Sequence, residues 1–200
     1  MNKYIITGGP GTGKTSVIEC LAQKGIKTIP EVARSIIAEE QSKARVIPGY
    51  VPILPSTDLE LFEERCIQRQ LAQEVNLVQS HDYFLDRSLV DPIAYAELAK
   101  VRLQPDLDDL LRDADYRAVF FLEQLPQYVK DTERSEDAVQ AQRLHYKLYD
   151  VYDRWGYDII PVPVFPGSLE ESIAQRADYI LRHTQRLPFM EIEKKYLVSH

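Results

Sequence analysis

Short apolar runs alternate with amphipathic stretches along this chain, a rhythm that predicts an α/β fold with a mainly parallel sheet. The runs predict strands at residues 3–7, 26–29, 83–85, 117–122 and 158–160. The fourth contains Ala118-Val119-Phe120-Phe121-Leu122, apolar without alternation, as a strand covered on both faces must be. Helices are predicted over 14–24, ended by Gly25, and over 31–43, 89–100, 106–114, 136–155 and 169–183. A longer helix runs from a Thr57 or Asp58 cap to about residue 79, with Leu59, Phe62, Cys66, Leu71, Val75 and Val78 as its apolar stripe. Leu144, Leu148, Val151 and Trp155 form the inner face of the 136–155 helix, and Ile173, Ala177 and Ile180 that of the last one. Pro48, Gly49, Pro52 and Pro55 make residues 46–56 a loop or lid. Five strands with crossover helices fit one three-layer domain over residues 1–185, followed by a tail at 186–200.

Composition narrows the classes. A 200-residue chain is long enough for one well-cored domain and too short for two ordinary ones. A formal charge of −7 disfavours bulk nucleic acid as a partner, so any phosphate site must be local. Cys20 and Cys66 lack metal-ligand spacing and read as thiols of a reducing compartment. With no signal-peptide pattern and no long apolar run, a cytoplasmic protein without membrane contact is expected.

The first strand leads into Gly8-Gly9-Pro10-Gly11-Thr12-Gly13-Lys14-Thr15, a G-x-x-x-x-G-K-[ST] phosphate loop. Glycines permit backbone angles and close approach that side chains forbid. Consecutive N–H groups can then converge on phosphate oxygens, and the following helix turns its positive end to the anion. Lys14 is placed to neutralise the β- and γ-phosphates, Thr15 to offer a hydroxyl to Mg²⁺, and Ser16 to extend the cradle. The bare pattern arises by chance in on the order of one chain in a hundred of this length; the strand before it and the helix after it sharpen the signal.

The remaining candidates stand at predicted strand tips, where open parallel sheets bind ligands. Glu31, after the second strand, can take a proton from an attacking hydroxyl, and Arg34, one turn on, can bind an acceptor. The plainer alternative makes Glu31 a helix-start acid favoured by the dipole. Asp86 ends the third strand in a Walker-B-like position, to hold Mg²⁺ or orient the nucleophile, and Arg87 offers a planar fork to phosphate. Alternatively Asp86 or Ser88 caps the helix at Leu89. Asp91 and Tyr95, on that helix, are expected to face an acceptor pocket. Charged residues 128–135 read as a lid closing over ATP, with Arg134 and Arg143 as candidates to meet the transferring phosphate; the plainer alternative is a charged surface loop. Residues 162–167 are placed to wall an adenine ring.

Together GGPGTGKT, IPEVAR and FLDRS resemble the P-loop ATPase/kinase-like family called AAA-28, which is similar to ribosylnicotinamide, deoxynucleoside and thymidylate kinases. The resemblance covers about residues 3–183. It implies phosphate and metal binding by Lys14 and Thr15, a metal or base position for Asp86, a phosphate contact for Arg87 and a catalytic acid position for Glu31. In typical nucleoside kinases that acid belongs to a Glu-Pro-type pair, whereas here Pro30 precedes Glu31. In the tail, Glu191, Glu193 and Lys195 resemble the E-x-E-x-K strand of a triphosphate tunnel (CYTH) domain, all on one strand face. The leading expectation is an ATP-dependent phosphotransferase acting with Mg²⁺ on a small hydroxylated, nucleoside- or nucleotide-like acceptor. The alternatives are an ATPase or nucleotide-switch module and, behind it, part of a triphosphate-metabolising enzyme. Asp/Asn-Lys-x-Asp guanine signals are absent, which favours ATP; a homo-oligomer is compatible with the sequence.

Overall fold

The unbroken apolar run Ala118–Leu122 becomes strand β4, every residue of it buried. Its neighbours are β1 (Lys3–Thr7) on one side and β5 (Ile159–Val162) on the other. Beyond β1 lie β3 (Tyr83–Asp86) and then β2 (Thr28–Ile29), giving the order β2-β3-β1-β4-β5 with every pairing parallel. The computed structural model describes residues 1–103, 110–111, 113–125 and 138–187.

The helices are α1 (Lys14–Gln23), α2 (Val32–Val46), α3 (Leu59–Val75), α4 (Asp91–Ala99), α5 (Ala138–Arg154) and α6 (Leu169–Arg186). Alternate strand residues feed two cores, because successive side chains point to opposite sheet faces. Tyr4, Ile6, Phe120 and Leu122 pack with Val17 and Leu21 of α1 and Ile173, Ala177 and Ile180 of α6. Ile5, Leu85, Val119 and Phe121 pack with Ala94 of α4 and Leu144, Leu148 and Val151 of α5. A third cluster, Val32, Ile36, Phe62 and Cys66, joins α2 to α3. The three-layer α/β expectation holds. Among the described residues no helix is long and apolar enough to cross a membrane, and Cys20 and Cys66 are both free.

Several boundaries move for physical reasons. Asp58, not Thr57, caps α3, its carboxylate accepting from Leu61 N at 3.0 Å; the Thr57 hydroxyl is spent on the loop carbonyls of Pro52 and Leu54. Strand β5 runs through Pro161 because it is an edge strand, where a missing N–H breaks no inner ladder. The expected stripe of α3 fails at its end: Val75 and Val78 are exposed, while Glu63, Gln70 and Glu74 are buried. Glu74 turns inward because Lys3 Nζ (2.7 Å), Gln70 Nε2 (3.0 Å) and the Tyr116 hydroxyl (2.8 Å) all donate to it. Of the 106–114 helix only part lies within the described residues; the 128–135 lid with Arg134, and Glu191, Glu193 and Lys195, lie outside them.

Candidate active site

The phosphate loop connects β1 to α1, and its glycines carry the geometry. Gly8 has φ 141°, and a Cβ there would lie 2.7 Å from the Leu122 carbonyl oxygen at the tip of β4. A Cβ on Gly9 would lie 2.7 Å from His145 Cβ on α5. Both positions exclude side chains because backbone elements close directly on the loop. Gly13, at φ 80°, is the N-cap of α1 and has no side-chain cap. The first turn of α1 therefore keeps its amides for an anion. Lys14 is buried and its ammonium donates to the Gly8 and Gly9 carbonyls, both at 2.9 Å. Pro10 and Thr12 are buried, Gly11 and Thr15 half-buried, and Ser16 is exposed.

Two side chains that the motif does not announce shape the loop. The Gly9 N–H donates to His145 Nδ1 at 3.1 Å. Burial, with Lys14 nearby, pushes this imidazole down to about 4, so it stays neutral and can accept. Arg176 on α6 is fully buried and donates to three carbonyls: Thr12 in the loop (2.6 Å), Glu123 after β4 (2.8 Å) and Pro163 after β5 (2.9 Å). A trace of both was present in the helical period. Arg176 stands three residues after Ile173 and four before Ile180, and His145 four after Ala141, on inward faces.

Asp86, at the tip of β3, is buried, and its Oδ2 lies 3.5 Å from the Thr15 hydroxyl. Its Oδ1 is buried with no hydrogen-bond partner among the described residues. Burial, then the neighbouring Glu31 carboxylate, raises its carboxyl above the usual range. Such an orphaned oxygen beside a threonine hydroxyl is the hard-oxygen donor set that Mg²⁺ prefers. The residues present fit the metal. Asp86 caps no helix; α4 begins at Asp91 after Val90, which makes no side-chain cap.

Arg87 follows with φ 73°, a left-handed conformation unusual outside glycine and costing of order 1–3 kcal/mol. Its Nε lies 2.7 Å from Glu31 Oε1 and its Nη1 3.4 Å from Asp91 Oδ1, while its guanidinium stacks over the Tyr95 ring at 5.3 Å. Its Nη2 is buried without a hydrogen-bond partner among the described residues. Glu31 is the N-cap residue of α2 but its side chain caps nothing. It bridges instead, accepting from Arg34 Nε at 3.2 Å on one oxygen and facing Arg87 on the other. Asp91 is fully engaged, accepting from Thr7 Oγ1 (2.7 Å), Ser88 N (3.0 Å) and the Tyr152 hydroxyl (2.5 Å). It ties β1, the β3–α4 turn and α5 together and steadies Arg87. Thr7 and Tyr152 gave no sign of this role in the sequence.

These groups border a cavity of about 550 Å³ between α2, α3, α4 and α5. Small-molecule sites span roughly 300–1,000 Å³, so this one has room for a ligand of nucleoside size. Glu31, Arg34, Arg87, Asp91, Tyr95 and Arg143 all line it, and Pro55 of the proline-rich loop adds to the wall. The structure thus brings Glu31, Arg87 and Asp91 together around one hollow. Asp86 stands one residue away, on the phosphate-loop side.

The sheet order, the phosphate loop and the acid at the tip of β3 define a kinase-like P-loop protein. The chain belongs to the AAA-28 family, an AAA domain whose family model matches residues 3–172. No curated protein matches it by sequence. Among solved structures it is similar to a deoxyadenosine kinase from M. mycoides (14% identity, 93% of this chain and 100% of that one, TM-score 0.58). It is similar also to NadR in complex with NR (17% identity, TM-score 0.64), covering 96% of this chain but only 52% of the NadR chain. Thymidylate kinase from Ehrlichia chaffeensis is comparable, at 14% identity, with 92% and 98% covered and a TM-score of 0.56. At these identities the likeness is one of fold.

Proposed function

We propose that this protein is an ATP-dependent phosphotransferase that uses Mg²⁺ and phosphorylates a small hydroxylated acceptor of nucleoside or nucleotide type. The observation that carries the reading is the acceptor-sized cavity bordered by Glu31 and Arg87, one residue from Asp86 and the phosphate loop. A nucleotide switch needs no such hollow.

In this reading the amides of residues 8–15 and the Lys14 ammonium hold the β- and γ-phosphates. Thr15 and Asp86 would hold Mg²⁺, which would offset the negative charge of the triphosphate. The acceptor hydroxyl lies against Glu31, whose carboxylate takes its proton as the new O–P bond forms. The bond from the γ-phosphorus to the β–γ bridging oxygen breaks, and ADP leaves. Arg87, pinned by Glu31 and Asp91, offers its remaining N–H groups to the moving phosphoryl group. Arg34, Tyr95 and Arg143 shape the acceptor side, and Arg134 is the lid arginine.

The test is ADP formation from ATP across a panel of nucleosides, nucleotides and small polyols, with product mass read in parallel. One compound should raise ADP formation roughly tenfold or more and gain one phosphoryl group. Lys14→Ala should abolish that turnover by removing charge stabilisation. ADP formation indifferent to every compound, with no phosphorylated product, would make this an ATPase instead.

A further inference from the structure

Glu63 is a buried carboxyl that the chemistry above leaves unused. It stands on the inward face of α3, is 5% exposed and lines the cavity. It makes no hydrogen bond or ion pair with any described residue. Four other buried carboxylates are engaged: Glu31 with Arg34 and Arg87, Glu40 with Lys43 and Arg65, Glu74 with Lys3 and Tyr116, Asp91 with Thr7 and Tyr152. The fifth, Asp86, keeps one oxygen near Thr15 and the other without a partner, at the position that fits Mg²⁺. A buried polar group without a partner costs free energy, so an unpartnered one facing a cavity points to a ligand.

The surroundings say which form of the carboxyl the ligand meets. Beside Glu63 on its own helix are Phe62 and Cys66, and the cavity wall continues apolar through Val32, Ile37 and Leu98. The charged groups facing it are Arg87 from the β3–α4 turn, Asp91 from α4 and Glu31 from the β2–α2 junction. Arg34 of α2 and Arg143 of α5 share the lining. Burial dominates and pushes its carboxyl up to about 8; Arg87 pulls the other way, while Asp91 and Glu31 add to the rise. At neutral pH the group is thus mostly a carboxylic acid, with one O–H donor beside one C=O acceptor.

We infer that Glu63, the unpartnered carboxyl of the cavity wall, recognises the phosphoryl acceptor by pairing with a ligand edge that carries a donor and an acceptor side by side, such as the amidine or lactam edge of a nucleobase. The apolar wall around it suits the faces of a planar ring. Glu31 and Arg87 then lie at the hydroxyl end of the same molecule. The inference rests on the phosphotransferase reading for the name of the ligand, but it is read out by equilibrium binding alone.

Titration calorimetry of adenosine, deoxycytidine, inosine and purine riboside into the full chain, without ATP, tests it. At least one of the first three should bind roughly tenfold or more tightly than purine riboside, which lacks the paired edge. Glu63→Gln keeps one donor and one acceptor and should bind within about threefold of the parent, while Glu63→Leu should lose roughly tenfold or more. The parent's affinity should fall about tenfold between pH 7 and pH 9 as the acid ionises, and that fall should vanish in Glu63→Gln. Binding of a fluorescent ATP analogue should be unchanged in both variants, which reports an intact phosphate loop. The inference is overturned if Glu63→Gln loses as much as Glu63→Leu, since a carboxylate would then be the binding form. It is equally overturned if Glu63→Leu binds like the parent, or if the parent binds none of the four. Edge-selective binding with no phosphorylated product would sink the transfer reaction and leave the role of Glu63 standing.

Discussion

Asp86 keeps one oxygen near the Thr15 hydroxyl and the other buried without a partner. A carboxylate held like that is costly unless something cationic completes it. Burial and the Glu31 charge both resist its ionisation, so a cation arriving at Thr15 and Asp86 meets a group with much to gain from it. Asp86→Asn preserves shape and removes the charge. Its kcat should fall by roughly 10²–10³, the size of effect seen when one stabilising group leaves a reacting centre, while affinity for an ATP analogue stays within about threefold. Steady-state kinetics beside equilibrium binding checks this; a variant that turns over like the parent removes Asp86 from the metal site. At this scale the sequence was informative where a motif tied residue type to position, as at Lys14, Thr15, Asp86 and Arg87. It was silent on Glu63, whose burial depends on which way α3 turns.

Helix α3 shows why that orientation was hard to read. Its apolar residues suggested a stripe through Val75 and Val78, yet the buried face carries Glu63, Gln70 and Glu74. Polar side chains can face inward when partners from distant elements meet them, and the partners of Glu74 come from β1 and from Tyr116. No local period encodes such partners. The same holds for Glu40 in the middle of α2, which reads as one of two adjacent surface acids and is 1% exposed. It accepts from Ile53 N (3.0 Å), Lys43 Nζ (2.6 Å), Arg65 Nη1 (2.8 Å) and the Tyr50 hydroxyl (2.5 Å). Residues 46–56 are thereby tied down to α2 and α3, and Pro55 is held at the cavity wall. The Ile53 N–H above all, with Lys43 and Tyr50, holds the Glu40 carboxyl down at about 2. The lowered value means that the folded state favours the ionised form. The stabilisation is complete above the ordinary value near 4.5 and is lost as pH falls from there towards 2. Glu40→Gln should therefore cost roughly 2 kcal/mol at pH 7, several degrees in Tm, and the gap from the parent should narrow steadily below about pH 4.5. Thermal melts of both proteins from pH 7 to pH 3 measure this; a gap independent of pH would mean that the charge of Glu40 is not what anchors the loop.

Across the whole molecule the sheet delivers its functional groups at one edge, because all five strands are parallel and their carboxyl ends coincide. That much followed from the apolar runs. What they could not show is how three adjacent strand tips are locked in register, and Arg176 does this. One guanidinium, rooted in α6, reaches the phosphate loop after β1, the chain after β4 and the chain after β5. Burial pulls the pKa of its guanidinium down to about 10, still above neutral pH, so the side chain remains protonated and keeps its donors. A lysine could carry the charge but not the fork, and its single ammonium cannot span three carbonyls set around a planar group. Arg176→Lys should strand one or two buried carbonyls, at roughly 1–3 kcal/mol each. The loss should not be spread evenly. Thr12 belongs to the loop proposed to hold phosphate, whereas Glu31, Arg87 and the cavity lie towards α2–α5, away from α6. Arg176→Lys should thus lower Tm and weaken ATP binding roughly five- to tenfold, with nucleoside binding changed less than about twofold. Melting curves with separate titrations of ATP analogue and nucleoside decide it. Equal losses for both ligands would show that the arginine supports the fold at large, and an unchanged ATP affinity would show that the loop keeps its shape without it.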